Sequence, residues 1–325
     1  MKNRTYFKGA LAFLVTTLIA SLSVVNALTI SPAKVELLGD PGQAISESFL
    51  LINETDGDQT YYTSVEAFDS QGESGTPNFT LSKEGLPSWV VVEEKVVLKK
   101  GERAKVPYSI NVPTDAESGG HFAAIFLSTQ PPSADGTQVS VGAKVGMLIL
   151  LKVTGDIKEQ GGLKEFAIKE EGAFLTSTPI NFFYRFRNDG NDRVKPEGEI
   201  VIKNMIGSET ARLVANKSEG NVLPNSTRLF DVKYGEDEAP QPSAPFFDHV
   251  AYEKNHFAFG MYTANLSLTF GNSGSDAAKV SYFIFPWHLM TVVTVVAVVI
   301  ILLLMLLLKK YNQWIIKQAR AAAKQ

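Results

Sequence analysis

The strictest constraint in this chain is a two-residue repeat. Val139, Val141, Ala143, Val145, Met147, Ile149, Leu151 and Val153 place an apolar side chain at eight successive odd positions. Successive residues of a strand point to opposite faces, so such a run lines one buried face of a sheet. Ala104, Val106, Tyr108, Ile110 and Val112 repeat the pattern. So do Ile180, Phe182, Tyr184 and Phe186, and again Tyr262, Ala264, Leu266, Leu268 and Phe270. Turn formers separate the runs: Asp40-Pro41-Gly42, Asp56-Gly57-Asp58, Lys100-Gly101, Gly119-Gly120, Asp189-Gly190-Asn191 and Pro224-Asn225. Many short strands at this spacing read as β-sandwiches rather than βαβ units, and the body shows no amphipathic helix of convincing length. Residues 69–88 and Glu236 to Ser243 read as irregular loops.

The two ends set an expected topology. Lys2, Arg4 and Lys8 precede an apolar run from Ala10 to Ala20, and Val25-Asn26-Ala27 offers a cleavage site, so residues 1–27 read as a signal peptide. An uncleaved anchor is the alternative; the run is short and softened by Thr16, Thr17, Ser21 and Ser23. Leu289 to Leu308 is 20 residues without a charge, the length of a bilayer-crossing helix. Tyr282, Phe283, Phe285 and Trp287 stand before it, at interfacial depth. Lys309-Lys310 follow and would hold that end in the cytoplasm. For the tail, residues 309–325, two readings stay open: a basic amphipathic helix on anionic lipid, or a simple stop-transfer tail.

Charge follows the same division. The eight basic residues of the two ends leave 23 of the chain's 31 Lys and Arg against all 34 Asp and Glu, a net −11 for the part between. An acidic body excludes nucleic acid as the expected partner, because phosphates need clustered Lys and Arg. The chain has no cysteine and only four histidines. Disulfide scaffolds, cysteine-ligated zinc and cysteine nucleophiles are therefore excluded.

Residues 28–157 and 158–288 are expected to form two sandwiches, with the break near Gly155 to Gly162. They share a weak duplication, which two related sandwiches in tandem, or shared hairpin grammar alone, would produce. Phe49-Leu50-Leu51-Ile52-Asn53 and Phe183-Tyr184-Arg185-Phe186-Arg187-Asn188 both run into acidic-glycine turns. Val97 to Arg103 and Val222 to Arg228 both lead into a strand, and later strands are entered at Gly120 and Gly260.

Few residues suggest chemistry. His249 and His256 lie seven apart near Asp248 and Glu253, but that spacing matches no ligand pattern and the stretch reads as a polar loop. His121 and His288 look isolated. Asp56-Gly57-Asp58 and Asp189-Gly190-Asn191-Asp192 lack the frame of a calcium loop and read as turns. Trp89 reads as a packed sandwich residue. The Asn-x-Ser/Thr sites at Asn53, Asn78, Asn216, Asn225 and Asn265 read as incidental. No catalytic, cofactor-binding or metal residue is assigned, no cofactor is expected, and nothing favours an enzyme.

Several stretches carry a family resemblance. Ile30-Ser31-Pro32-Ala33-Lys34-Val35, Ile52-Asn53, Pro87-Ser88-Trp89-Val90, Val97 to Glu102 and Val106 to Pro113 resemble bacterial immunoglobulin-like sandwiches related to pilus chaperones. Asn188 to Asn191, Val194 to Gly198 and Asn221 to Ser226 resemble an exported bacterial immunoglobulin-like module. The order signal, sandwich, sandwich, helix, basic tail is similar to the WxL-interacting surface proteins of Gram-positive bacteria, although that family's opening motif is not evident around residues 28–42. The resemblance implies an all-β fold of two tandem immunoglobulin-like sandwiches plus one C-terminal transmembrane helix. It also implies a cell-surface binding or scaffold protein, extracellular but for its tail, contacting a cell-wall polymer or a protein partner. The alternative is an accessory subunit of a membrane-embedded secretion or envelope-assembly complex.

Overall fold

The computed structural model describes residues 28–131, 144–170, 172, 174–235 and 239–322, and side chains as far as residue 316. The proposed signal peptide and the first three members of the longest repeat (Val139, Val141 and Ala143) lie outside the described residues. The chain divides into two compact units. The first runs to Gln71 and resumes over Pro77–Lys158; the second takes Gly72–Thr76 and everything from Glu159.

The first unit holds, in chain order, β1 (Leu28–Ser31), β2 (Lys34–Gly39), β3 (Ala44–Asn53), β4 (Gln59–Gln71), β5 (Thr76–Thr80), α1 (Leu86–Trp89), β6 (Val90–Val92), β7 (Lys95–Leu98), β8 (Arg103–Asn111), β9 (Gly119–Ser128) and β10 (Lys144–Val153). One sheet is ordered β1-β3-β8-β6. The other is ordered β2-β10-β9-β4-β5, with β7 also on β4. The odd members of the repeat behave as their period requires: Met147, Ile149, Leu151 and Val153 are fully buried between the sheets, with Val106, Tyr108 and Ile110 of β8 facing them.

The second unit holds β11 (Gly161–Ile168), β12 (Phe174–Leu175), β13 (Ile180–Asn188), β14 (Glu197–Asn204), β15 (Glu209–Val214), β16 (Ser226–Tyr234), α2 (Phe246–Asn255), β17 (Gly260–Phe270), β18 (Gly274–Ile284) and α3 (Trp287–Ala322). Its sheets are β11-β13-β16 and β12-β18-β17-β14-β15. Ile180, Phe182, Tyr184 and Phe186 all point into its core against Ala264, Leu266 and Leu268.

The two units repeat one topology. In each, the opening strand pairs antiparallel in one sheet, as β1 on β3 and β11 on β13. The next strand then pairs parallel with the last strand of the other sheet, as β2 on β10 and β12 on β18. Two face-to-face sheets with a divided first strand make each unit an immunoglobulin-like sandwich. In the first unit Pro32 stands at the division, where a residue without an N–H ends a ladder.

The repeat extends to single side chains. Asn53 ends β3 and Asn188 ends β13, and both are fully buried. The amide NH2 of Asn53 donates to the carbonyls of Gly57, Leu98 and Lys99, while its oxygen accepts from the Thr55 N–H and the Tyr61 hydroxyl. The NH2 of Asn188 donates to Asp192 and Val222, and its oxygen accepts from the Gly190 N–H. Each asparagine therefore ties the turn after its strand to the segment before β8 or β16. The Asp-Gly turns flagged in the sequence are these pinned turns.

Two local readings are corrected. The stretch 69–88, read as irregular, holds the end of β4, all of β5 and the start of α1, whose buried Leu86 and Pro87 fill the first core. The body does contain a helix of ten residues, α2, lying between β16 and β17 where the first unit has only a short loop. The helix that begins at Trp287 continues past Leu308 into the tail, for which the sequence leaves two readings open: α3 is continuous over Trp287–Ala322, 36 residues. At 1.5 Å per residue it is about 54 Å long.

Candidate functional site

Of the histidines and acids singled out in the sequence, His249, His288 and Glu253 meet, while His256 and His121 lie apart from them. The polar loop expected at 247–256 is α2 followed by its cap. Two helical turns, about 10 Å, separate His249 from His256. His256 stacks on Tyr252, with ring centres 4.3 Å apart, and His249 stacks on His288 at 4.5 Å. His288 is not isolated. Its Nδ1–H donates to Glu253 at 2.6 Å, and the other oxygen of Glu253 accepts the backbone N–H of Leu289 at 2.8 Å. Glu253 is thus buried because it caps the open N-terminal end of α3, where free N–H groups favour a carboxylate. His121 is not isolated either: Nε2–H donates to the Glu117 carbonyl and the ring lies 4.6 Å from Trp89. Trp89 itself packs half-buried against the first core and offers no open platform.

The calcium-like turns are occupied by their own chain. Lys100 pairs with Asp56 at 2.8 Å and its backbone N–H bonds Asp58, while Arg187 holds Asp189. Asn53 and Asn216 are buried with their NH2 groups committed to carbonyls, so neither presents an amide for a glycan. Among the described residues, no group of three or more His, Asp or Glu side chains is placed to hold a metal ion. A shallow recess lined by Lys195, Glu197, Gly198, Val214, Asn216 and Glu219 carries no converging reactive pair.

The surface that stands out is the outer face of the β10 sheet. Odd residues of β9 and β10 fill the core, so their even residues face outward. In the middle of the strands those are apolar as well: Phe122, Ala124 and Phe126 on β9, Leu148 and Leu150 on β10, joined by Phe68 on β4 and Phe79 on β5. Ala124, Leu150 and Phe68 are buried beneath their neighbours, Phe122, Phe126 and Leu148 are half-buried, and Phe79 is the exposed ring. Phe79 lies 4.8 Å from Phe126 and 5.9 Å from Phe68, and Phe68 lies 5.8 Å from Phe122. The unbroken run Met147 to Leu151 was the signal for this, since a strand apolar on both parities is covered on both faces. Attention to odd positions alone misses it.

Beside this face is an unfinished edge. β10 pairs with β9 over all ten of its residues, whereas β2 covers only Leu148–Val153 on the other side. Among the described residues no strand pairs with the outer edge of Lys144–Met147. Gly146 sits there under an aromatic ring: a Cβ on it would stand 2.6 Å from Phe126. Lys144 reaches over the Phe126 ring and pairs at 2.9 Å with the buried carboxylate of Glu66, which compensates that carboxylate.

No family model matches the sequence, and no curated protein matches it. Among solved structures, the chain is similar to the class 5 fimbriae chaperone CfaA, with 13% identity and a TM-score of 0.37 over 79% of this chain and 99% of that one. It is similar to the E. coli chaperone DraB, with 10% identity and a TM-score of 0.34 over 79% and 97%. It is also similar to a Salmonella enterica structure of the SafA pilin in complex with the SafB chaperone, with 9% identity and a TM-score of 0.34 over 81% and 98%.

Proposed function

We propose that this is a membrane-anchored binding protein whose first unit takes a protein partner on the outer face and open edge of the β10 sheet, and that it turns over no substrate. The observation that carries the reading is the cluster of phenylalanines, with Phe79 exposed and Phe122 and Phe126 half-buried, next to the edge of Lys144–Met147 that no strand among the described residues pairs with. An open edge supplies a row of backbone donors and acceptors to an added strand, and the apolar face beside it supplies pockets for alternate side chains. α3 supports anchoring: the most apolar 18-residue stretch within Trp287–Ile316 has a mean hydropathy of 3.3, and none of that stretch is buried. A helix of this kind satisfies its own backbone in hydrocarbon. In the proposed topology both units lie outside, Lys309 and Lys310 lie inside, and residues 1–27 are removed on export. The likeness in order to WxL-interacting surface proteins agrees with a surface location. Of the two ligand classes it implies, the open edge favours protein over a cell-wall polymer, since only a polypeptide can add a strand there.

The test is photo-crosslinking in intact cells, with benzoylphenylalanine replacing Phe79 in the full-length chain and Ser273 as the control position. The expected result is one dominant protein adduct from position 79 that is absent from position 273. Identical products from both positions, or wall fragments only, would refute the partner surface.

A further inference from the structure

We propose that the end of the second unit from which α3 leaves is itself a lipid-binding surface, a collar of exposed aromatic and aliphatic side chains seated in the interfacial layer of the bilayer. This rests on the reading that α3 crosses that bilayer.

The topology gathers the collar. β18 ends at Ile284 opposite Gly260, where β17 begins, and Tyr262 stands opposite Asn204, where β14 ends. The β14–β15 turn, the start of β17, the end of β18 and β12 therefore share one end of the sheet with the first turn of α3. What they present there is apolar: Ile206 is 80% exposed, Phe174 79%, Phe247 73% and Phe257 59%, with Phe259 and Phe285 also open. The rings form a continuous path. Phe174 lies 5.7 Å from Phe283, Phe283 lies 6.0 Å from Phe259, and Phe259 lies 6.0 Å from Phe285. Beyond Pro286, Trp287 lies 6.0 Å from Phe246, which lies 5.6 Å from Phe247. Residues 257–263 and 282–308 contain no Asp, Glu, Lys or Arg. The opposite end of the same sheets is polar, with Glu159, Asp189 and Asp276 tied into hydrogen bonds there.

Single exposed apolar residues are ordinary; a continuous patch marks an interaction site. Continuity selects the occupant. Through residues 282–308 the patch runs without a charge into the flank of α3, whose exposed side chains require hydrocarbon; Asp248 and Lys254 are the exposed charges on α2 beside it. Aromatic rings favour the boundary between headgroups and acyl chains. The α2 insertion, absent from the first unit, contributes Phe246 and Phe247, and its Glu253 ties it to the N-terminus of α3.

The chain has no native cysteine, so single cysteines report cleanly. Nitroxide labels at Ile206→Cys, Phe247→Cys and Phe257→Cys, with Val299→Cys in the helix and Ser273→Cys at the polar end, would be read in the full chain in phosphatidylcholine–phosphatidylglycerol liposomes. Collisions with oxygen and with a water-soluble nickel chelate give depth. The collar labels should lose most nickel collisions relative to Ser273 while keeping oxygen collisions, as Val299 does. Collar labels as open to nickel as Ser273, with Val299 still in lipid, would overturn the collar and leave the anchor standing. Collar labels closed to both reagents would mean protein covers them, which also overturns it. Val299 open to nickel would overturn the spanning helix, and the collar with it.

Discussion

At the scale of residues, two asparagines do in parallel what no apolar contact can: they satisfy the backbone of buried turns. Replacing Asn53 by Ala removes the donor to three carbonyls and the acceptor of the Thr55 N–H and the buried Tyr61 hydroxyl. Replacing Asn188 removes the donor to two carbonyls and the acceptor of the Gly190 N–H, although the carbonyls of Gly57, Lys99 and Val222 each keep one other donor. Each substitution should cost about 1–3 kcal/mol, the penalty of unmade buried hydrogen bonds. Urea unfolding monitored separately in each unit should show Asn53→Ala acting on the first and Asn188→Ala on the second; a change under about 0.5 kcal/mol would place the anchors within ordinary surface effects. The buried tyrosines give a second expectation. Burial, with Glu47 adding to it, pushes the Tyr108 hydroxyl up to about 12, and burial also raises Tyr184 and Tyr282. In the unfolded chain these groups ionise near pH 10 while the fold keeps their protons. The unfolded state then binds fewer protons, so their contribution is fully present below about pH 10 and falls above it, by up to about 1.4 kcal/mol per pH unit for each tyrosine. Chemical denaturation at pH 9, 10 and 11 should show a steepening loss; equal stability at all three would contradict it.

At the scale of elements, what could be read from the sequence was what has a short period. Ile180, Phe182, Tyr184 and Phe186 announce β13 because alternation is local, and all four are fully buried. α2 escaped because its apolar and polar residues are only weakly segregated and its start, Pro245, offers no side-chain cap. It is held by partners 35 and more residues away. Glu253 read as one acid of a polar loop beside His249 and His256, and only the fold shows it receiving His288 and the Leu289 N–H. Glu253→Ala should weaken the α2–α3 junction by about 1–3 kcal/mol, and Glu253→Gln by less, since its one oxygen can still accept. Amide exchange at Leu289 in the full chain should speed up in that order. Unchanged exchange in both variants would mean the cap contributes nothing.

At the scale of the molecule, the weak duplication seen in the sequence is a repeated topology, with β1, β2 and β3 answered by β11, β12 and β13 and the last strands β9 and β10 by β17 and β18. The divergences are where function is proposed: an apolar outer face and open edge in the first unit, a helix and aromatic collar in the second. The face was half legible, in the run Met147 to Leu151, but its assembly from β4, β5, β9 and β10 depends on pairings that span some 80 residues, as between Glu66 and Lys144. The most direct measurement is hydrogen exchange of the amides of Lys144–Met147 that point away from β9, in the full-length protein in liposomes, before and after addition of the partner captured at Phe79. An added strand predicts fast exchange at those amides in the free protein and strong protection in the complex. Exchange that is unaltered by the partner, with protection appearing elsewhere, would contradict binding at this edge.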